Sequence, residues 1–387
     1  MKVQFSLPDM PPALRELFKE PNLLTRHFGR APSIGLFVGS DSINLVQMEE
    51  APQYPRIRAM ASVALPKPKA ALLSDAKSLR KLIHQVRASH PFSGHRVVTS
   101  LSANDVKISM VAYKRQKGQS EESSLVAELR ERMQSDLDEH LVDFIGVRQS
   151  ESNGEFGEAL VAMAPRQRVL SYLECLSNAG LEVTALDVGP SALSRLVHHS
   201  GAQNWKEFPS LPNALLINVG EKSSFLTVIW GRRLILDRPI EFSEARLIAR
   251  LGKILGMPED LALHVLHHMD APGEVGRDTT QAVLEVLHSE IQALQQEVNR
   301  TLVYMASKTR GKSVDALHLA GRAARYPGLL SGLQQALRVK VFAINPITMF
   351  ADRGGRPALD PALGVRAGIV LATGLALHEV PERGAWT

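Results

Sequence analysis

The sequence predicts an α/β protein built from two related lobes. Three observations carry that expectation. Short apolar runs alternate with amphipathic helical stretches along most of the chain, the pattern of strands covered by helices. A strand–glycine turn–strand unit occurs twice: Val38-Gly39-Ser40-Asp41-Ser42 aligns with Val219-Gly220-Glu221-Lys222-Ser223, about 180 residues later, which points to internal duplication. The length, 387 residues, suffices for more than one core.

Residues 1–30 stand apart. Pro8, Pro11 and Pro12 break the start, and Leu14, Leu17 and Phe18 then fall at helical spacing within residues 12–19. This short amphipathic helix reads either as docked on the parent domain or as an arm for a partner or a membrane surface. The main fold opens at Ser33. Residues 34–38 are an apolar run, Gly39, Ser40 and Asp41 supply a turn, and residues 43–48 return as a second strand, a hairpin. Residues 78–87 read as a helix, and 96–101 and 106–112 as strands. A helix over 121–140 places Leu125, Leu129, Met133 and Leu137 on one face. Strands at 143–148 and 158–164 flank a polar loop holding Asn153 and Gly154. A helix over 167–179 ends at Gly180, and a strand at 183–187 leads into a helix at Ser191.

The hairpin pattern then returns, with strands at 214–219 and 225–230 around Gly220, Glu221 and Lys222. Gly231 and Arg232 turn into a third strand at 234–237. Helices follow at 243–255, ended by Gly256, and at 258–269, with Pro258 in its first turn. The longest, 280–307, carries Leu284, Leu287, Ile291, Leu294, Val298 and Leu302 at spacings of three and four, a buried stripe. Residues 314–319 and 339–343 close the pattern as strands.

Composition narrows the function classes. The net charge of +5 is mild for this length and the basic residues are scattered, so the surface reads as solvated and not as a nucleic-acid face. Lys114, Arg115 and Lys117 form the tightest basic cluster, in a polar loop. No apolar run approaches the roughly 20 residues that cross a bilayer. The most apolar stretch, 367–377, is short and contains Gly368 and Gly374. Residues 1–10 lack the apolar core of a signal peptide. A single cysteine, Cys175, excludes an intrachain disulfide framework. A cytoplasmic protein is expected.

The last third carries a family resemblance. The strand at 314–319 runs into Ala320-Gly321-Arg322-Ala323-Ala324, then Pro327-Gly328-Leu329 opens a helix, and the strand at 339–343 reaches Asn345-Pro346. This is similar to the adenosine motif of actin-like ATPases. Ile34-Gly35-Leu36-Phe37-Val38-Gly39-Ser40 resembles that family's first phosphate motif, and Leu216-Ile217-Asn218-Val219-Gly220 its second. Glu297-Val298-Asn299-Arg300-Thr301-Leu302 resembles the connecting helix of the PilM group, as does the stretch Ala185-Leu186-Asp187-Val188-Gly189-Pro190-Ser191-Ala192-Leu193. The five stand in the family's order from residue 33 onward.

The resemblance implies a two-lobed actin-like fold, a duplicated ribonuclease-H-like core with a subdomain inserted in the first lobe. It implies an N-terminal extension (1–30), a first lobe (31–210) with its insertion at about 96–162, a second lobe (211–345), and a C-terminal segment (346–387) returning to the first. It also implies a cytoplasmic type IV pilus assembly protein peripheral to the inner membrane. Such a protein binds the cytoplasmic tail of a PilN-like inner-membrane partner and meets other platform or motor proteins through it. Val106, Ile108 and the 121–140 helix are the region expected to form the peptide groove.

The family's cleft binds ATP and Mg²⁺. Two glycine turns offer backbone N–H groups to the phosphates, and an aspartate before each turn organises the metal. The positions matching the nucleotide site are Gly39, Ser40, Asp41, Ser42, Asn218, Gly220, Glu221, Ser223, Gly321 and Arg322. This sequence departs where the metal is held. Phe37 stands at the first aspartate position and Asn218 at the second, while Arg322 replaces the second glycine of the adenosine motif. Phenylalanine cannot hold a hydrated cation, and asparagine brings no charge. The expectation is a pseudo-ATPase with no catalytic residue and no metal ligand.

The competing readings are an active ATPase or small-molecule kinase, and a filament protein like FtsA. A kinase needs a catalytic aspartate, which Asn218 does not supply. FtsA-type proteins end in a basic amphipathic helix, whereas residues 379–387 are short and polar. Lesser features read blandly. His264, His267 and His268 are surface histidines on a helix, and His198 and His199 partner a helix end. Cys175 belongs to the core, and Asp136, Asp138 and Glu139 are a solvated acidic face.

Overall fold

Two five-stranded sheets with one topology organise the molecule. The computed structural model describes residues 31–49, 55–116, 118–149, 156–204, 213–231, 233–268, 276–308, 313–350 and 359–380. The expected helix at 12–19, Lys117, the loop with Asn153 and Gly154, Arg232 and the tail after residue 380 lie outside the described residues.

The chain begins as a meander, β1 (Ile34–Val38), β2 (Ser42–Glu49) and β3 (Arg56–Ala64). It passes through α1 (Lys69–Leu73) and α2 (Ala76–Ser89) and returns as β4 (Arg96–Ser100). A three-stranded unit follows, made of β5 (Lys107–Lys114), α3 (Glu121–Met133), β6 (His140–Gln149) and β7 (Phe156–Pro165), with strand order β5-β7-β6. Then come α4 (Arg166–Asn178), β8 (Glu182–Asp187) and α5 (Gly189–Asn204).

The second half repeats the meander as β9 (Ala214–Asn218), β10 (Ser224–Trp230) and β11 (Arg233–Ile240). It continues through α6 (Glu244–Leu255), α7 (Glu259–His268) and α8 (Arg277–Lys308) to β12 (Ala316–Ala320), α9 (Leu329–Leu337) and β13 (Lys340–Ala343). Two single turns, α10 (Pro346–Met349) and α11 (Pro361–Gly364), lead to α12 (Ala367–Ala376).

The first sheet is ordered β3-β2-β1-β4-β8 and the second β11-β10-β9-β12-β13. In each, the meander pairs antiparallel and the later strands join in parallel. The duplication suggested by the two glycine turns is thus a duplication of whole sheets.

Alternation along the strands sets the layers. Ile34, Leu36 and Val38 of β1 face a core shared with α2 and α4. Leu215 and Ile217 of β9 face a core shared with α6, α7 and α8. The opposite faces of the two sheets meet in a central core: Val46 and Met48 of β2, Leu216 of β9, Leu193 and Leu196 of α5, and Ile369 and Val370 of α12. α12 comes so close to β1 that a Cβ at Gly35 would collide with Ala372 O and Ala376 N. Asp187 and Arg195 pair at 2.8 Å, and Arg195 Nη1 donates to Gly374 O at 2.8 Å, tying α5 to α12.

Local chemistry ends the helices. Asp75 accepts from Ser78 N as the N-cap of α2, and Ser243 accepts from Arg246 N as that of α6, which closes at left-handed Gly256.

The fold corrects four expectations about the elements and their packing. The helix expected over 121–140 stops at Met133 and continues as a 3-10 turn, Gln134–Glu139. Leu137 is buried with Leu125 and Leu129 all the same. The insertion expected from about residue 96 starts later, because β4, with four of its five residues buried, pairs with β1 and β8 in the first sheet. His198 and His199 lie within α5, not at its end, and His198 Nε2 meets Gly231 O at 3.0 Å.

The expected groove residues also part company. Ile108 packs on the central core, whereas α3 covers the opposite face of the inserted sheet against Val111 and Tyr113. Neighbouring positions on a strand point to opposite faces, so β5 separates them.

Candidate functional site

The two glycine turns stand at the same edge of their sheets. In the first, Gly39 N–H donates to Ser42 O at 2.8 Å, and Lys69 Nζ donates to Val38 O at 2.7 Å. Burial lowers the Lys69 pKa, against the raising influence of Asp105. In the second, Gly220 N–H donates to Ser224 Oγ at 3.1 Å. The start of α6 sits on this turn, with Glu244 N–H on Gly220 O at 3.3 Å and Ala245 N–H on Glu221 O at 2.7 Å. Ser223, a candidate from sequence, is exposed; its neighbour Ser224 holds the turn.

The turns reach each other. Ser40 Oγ donates to Glu221 Oε2 at 3.0 Å, with Asp41 of the same turn beside the Glu221 carboxyl. Burial, then Asp41, push the Glu221 carboxyl up to about 7, and Glu244 adds to the push. Arg366, immediately before α12, faces Asp41 and Glu221 and donates to Ser62 Oγ at 3.0 Å; burial and the nearby Arg322 lower its pKa.

The positions before each turn hold aromatic and amide groups. Phe37 is half-buried against Val98, Ala192 and Leu375. Across the hairpin it faces Asn44, whose Nδ2 donates to Ser42 O at 3.3 Å. In the second lobe Asn218 faces Phe225. The side-chain oxygens of both asparagines are buried with no partner among the described residues.

The third motif sits on the second lobe. Val219 N–H donates to Ala320 O at 2.9 Å, and at Gly321 (φ 101°) a Cβ would collide with Val219 O. Glycine is required there by both conformation and space. Arg322 turns to His267 of α7. His267 Nε2 meets Glu244 Oε1 at 2.8 Å, and Arg322 Nη1 lies 2.8 Å from Nε2 and 3.0 Å from Nδ1 of the same ring. A ring that donates from Nε2 to the carboxylate leaves Nδ1 to accept from the guanidinium. Tyr326 O–H donates to the same Glu244 oxygen at 2.7 Å. Burial alone would raise the Glu244 carboxyl, but His267, Tyr326 and Arg322 outweigh it and hold it low. Burial and Glu244 push the Tyr326 hydroxyl up.

The candidate positions thus divide. Ser40, Asp41 and Glu221 come together across the lobes, Gly321 abuts the second turn, and Arg322 belongs to a second-lobe network. His267 is no free surface histidine as the sequence suggested, while His264 is exposed and stacks on His268 at 4.3 Å. Cys175 is buried in the first core as expected. Lys69, Glu244, Tyr326 and Arg366 had no local signal, since each reaches the site from another element. A surface cavity of about 650 Å³ lies elsewhere, between β11 and α8. Two of its lining arginines are paired, Arg238 with Glu297 and Arg246 with Glu241 and Glu290.

Two lobes of one topology, each presenting a glycine turn at a common edge, define an actin-like protein. The family model of the type IV pilus assembly protein PilM matches residues 35–380, and the chain belongs to that family. It is similar to a chain of the PilM-PilN type IV pilus biogenesis complex, at 24% identity and a TM-score of 0.69, over 91% of this chain and 100% of that one. It is also similar to the ethanolamine utilization protein EutJ from Carboxydothermus hydrogenoformans (12% identity, 89% and 90% covered, TM-score 0.48). A third similar structure is MreB5 of Spiroplasma citri bound to ADP (11% identity, 89% and 95% covered, TM-score 0.45). Among the described residues no helix is long and apolar enough to cross a membrane.

Proposed function

We propose that this chain is a cytoplasmic scaffold of type IV pilus assembly. It binds the short cytoplasmic tail of a PilN-like inner-membrane protein and thereby connects the membrane platform to the motor. The carrying observation is the likeness, over the whole of the matched chain, to a PilM captured with PilN. The inserted sheet supports the reading. It is braced on one face by the central core and on the other by α3, a rigid ledge beside the first lobe for an extended tail.

The residues of the cleft do not fit a Mg²⁺–triphosphate. The Phe37 ring packs among apolar side chains where a metal-ordering carboxylate would stand. The Gly39 and Gly220 N–H groups are already engaged, and the Glu221 carboxyl, bonded to Ser40, stands between the turns. The scaffold therefore acts through its protein-binding surfaces and not through ATP hydrolysis.

The chain co-expressed with a PilN-like membrane protein should co-purify with it from detergent extracts. A synthetic copy of the cytoplasmic tail should compete. Recovery of the chain free of that partner, with the partner present and intact, would sink the scaffold reading.

A further inference from the structure

The cavity between β11 and α8 is rimmed by positive charge that the fold leaves uncommitted. We propose that it is a second protein-docking site, on the second lobe, for an acidic segment that also carries an aromatic residue. This site goes beyond the tail-binding reading and does not depend on it.

The site is built from one helix face and one buried carboxylate. The apolar stripe of α8 turns Leu287, Ile291 and Val298 to the core. A second stripe, Ala293, Glu297, Arg300 and Tyr304, lines the cavity at spacings of three and four. The volume of about 650 Å³ has room for large side chains, and Leu236 and Leu294 give it apolar surface. Beside it, Glu290 of α8, with a side chain only 6% exposed, holds two arginines of α6. Arg246 Nε donates to Oε2 at 3.2 Å and Arg250 Nε to Oε1 at 2.9 Å. Both guanidinium groups are partly exposed, and Arg246 Nη2 and the two terminal nitrogens of Arg250 have no partner among the described residues. A pair of arginines anchored in this way is pre-organised for a carboxylate that arrives from outside. Arg300, exposed and also without a side-chain partner among the described residues, adds a third cation.

Arg238 is spent differently. Its Nε and Nη2 donate to Thr301 Oγ1 at 3.0 and 2.7 Å, and its Nη1 to Glu297 Oε1 at 3.1 Å. With its edge engaged, this guanidinium can meet a ligand only by its flat face, which suits an aromatic ring. The exposed Tyr304 adds a second aromatic contact surface. Glu241 marks where the partner's carboxylate would sit. Its side chain is 84% exposed, yet it accepts from Arg246 Nη1 at 2.9 Å. An ion pair so exposed exchanges readily, so Glu241 stands in for the incoming carboxylate and competes with it. An acidic segment can send a side chain into the recess, whereas the headgroup plane of a membrane meets only its rim.

The test uses the full chain and a fluorescein-labelled peptide of aspartate, glutamate and phenylalanine, read by fluorescence anisotropy. In the control peptide asparagine and glutamine replace the acids. The acidic peptide should bind and the control should not, and added salt should weaken the complex. Arg300→Gln, at an exposed and unpartnered position, should weaken binding roughly tenfold, as should Arg250→Gln. Glu241→Gln should tighten it several-fold, because the internal competitor loses its charge. A merely structural ion pair gives no such gain. A native chain that ignores the acidic peptide, a control peptide bound as tightly, or native affinity in both Arg300→Gln and Glu241→Gln would overturn the proposal. Binding to phosphatidylglycerol vesicles in place of the peptide would assign the basic rim to a membrane and overturn it too. Each of these results leaves co-purification with the membrane partner untouched, so the two readings fail separately.

Discussion

Phe37 and Asn218 occupy equivalent places in the two halves, and each faces the other's residue type across its hairpin. Phe37 lies opposite Asn44, and Asn218 opposite Phe225. Directly opposed residues of an antiparallel pair share a face, so each lobe keeps one amide and one ring in this layer, on exchanged strands. The polar group survives in the first lobe, but Asn44 approaches from β2 and spends its amide on Ser42. Restoring carboxylates where the family has them tests whether this exchange blocks the metal. The Phe37→Asp, Asn218→Asp double variant should gain a rise in Tm with millimolar Mg²⁺-ATP that the native chain lacks. A ligand at about 100 times its Kd adds about 2.7 kcal/mol, a shift of several degrees at most in a chain of this size. A double variant as indifferent to Mg²⁺-ATP as the native chain would move the block to Glu221 or Arg322. The turns themselves were legible, because glycine, serine and aspartate between apolar runs have a local meaning. Their partners were not. Glu244, His267, Tyr326 and Arg366 are separated from the turns by tens of residues or by the length of the chain, and sequence spacing does not report such meetings.

At the level of elements, strands and long helices follow from periodicity because burial imposes it. The long helix α8 buries Leu287, Ile291, Leu294 and Val298 at the spacing that marked it. Boundaries were less legible, as at the end of α3, where the apolar spacing runs on to Leu137 but the α-helix stops at Met133. The faces of the inserted sheet were hidden for a different reason: β5 presents Ile108 and Val111 to different cores, and only pairing with β7 shows which is which. The docking of α12 on β1 makes a sharp prediction at this scale. Gly35→Ala places a methyl against the backbone of α12, where no flexible side chain can yield. Overpacking of this kind costs about 1–3 kcal/mol or more, and the urea midpoint should fall accordingly. A variant with native stability would mean that α12 slides on β1 at little cost.

Among the described residues, three buried or partly buried carboxyls are raised to about 7: Asp143, Glu221 and Asp237, each chiefly by burial. Below its ordinary pKa such a group is protonated in both the folded and unfolded chain and costs nothing. As pH rises towards 7 the unfolded chain releases the proton while the folded chain keeps it, so stability falls across that window. Glu244, held low, acts in the opposite sense and loses its contribution only in stronger acid. The stability optimum therefore lies on the acid side of neutrality, and the urea midpoint should be higher at about pH 5.5 than at about pH 8. Asp237 accepts from Thr227 at 2.6 Å in the second lobe. Asp237→Asn should flatten that part of the profile; an unchanged slope would show that Asp237 does not titrate in this range. The central core has a mechanical consequence. Leu160 and Ile108 of the inserted sheet pack in the same apolar body as Leu234 of β11, in the second lobe. A pull on the inserted sheet is thus borne by close-packed side chains along the flank of the molecule, stiff in compression and shear. The hydrogen bonds at the turns lie outside that line of force, so tension from a tethered partner would be carried as through the spine of a book, with its covers left unloaded.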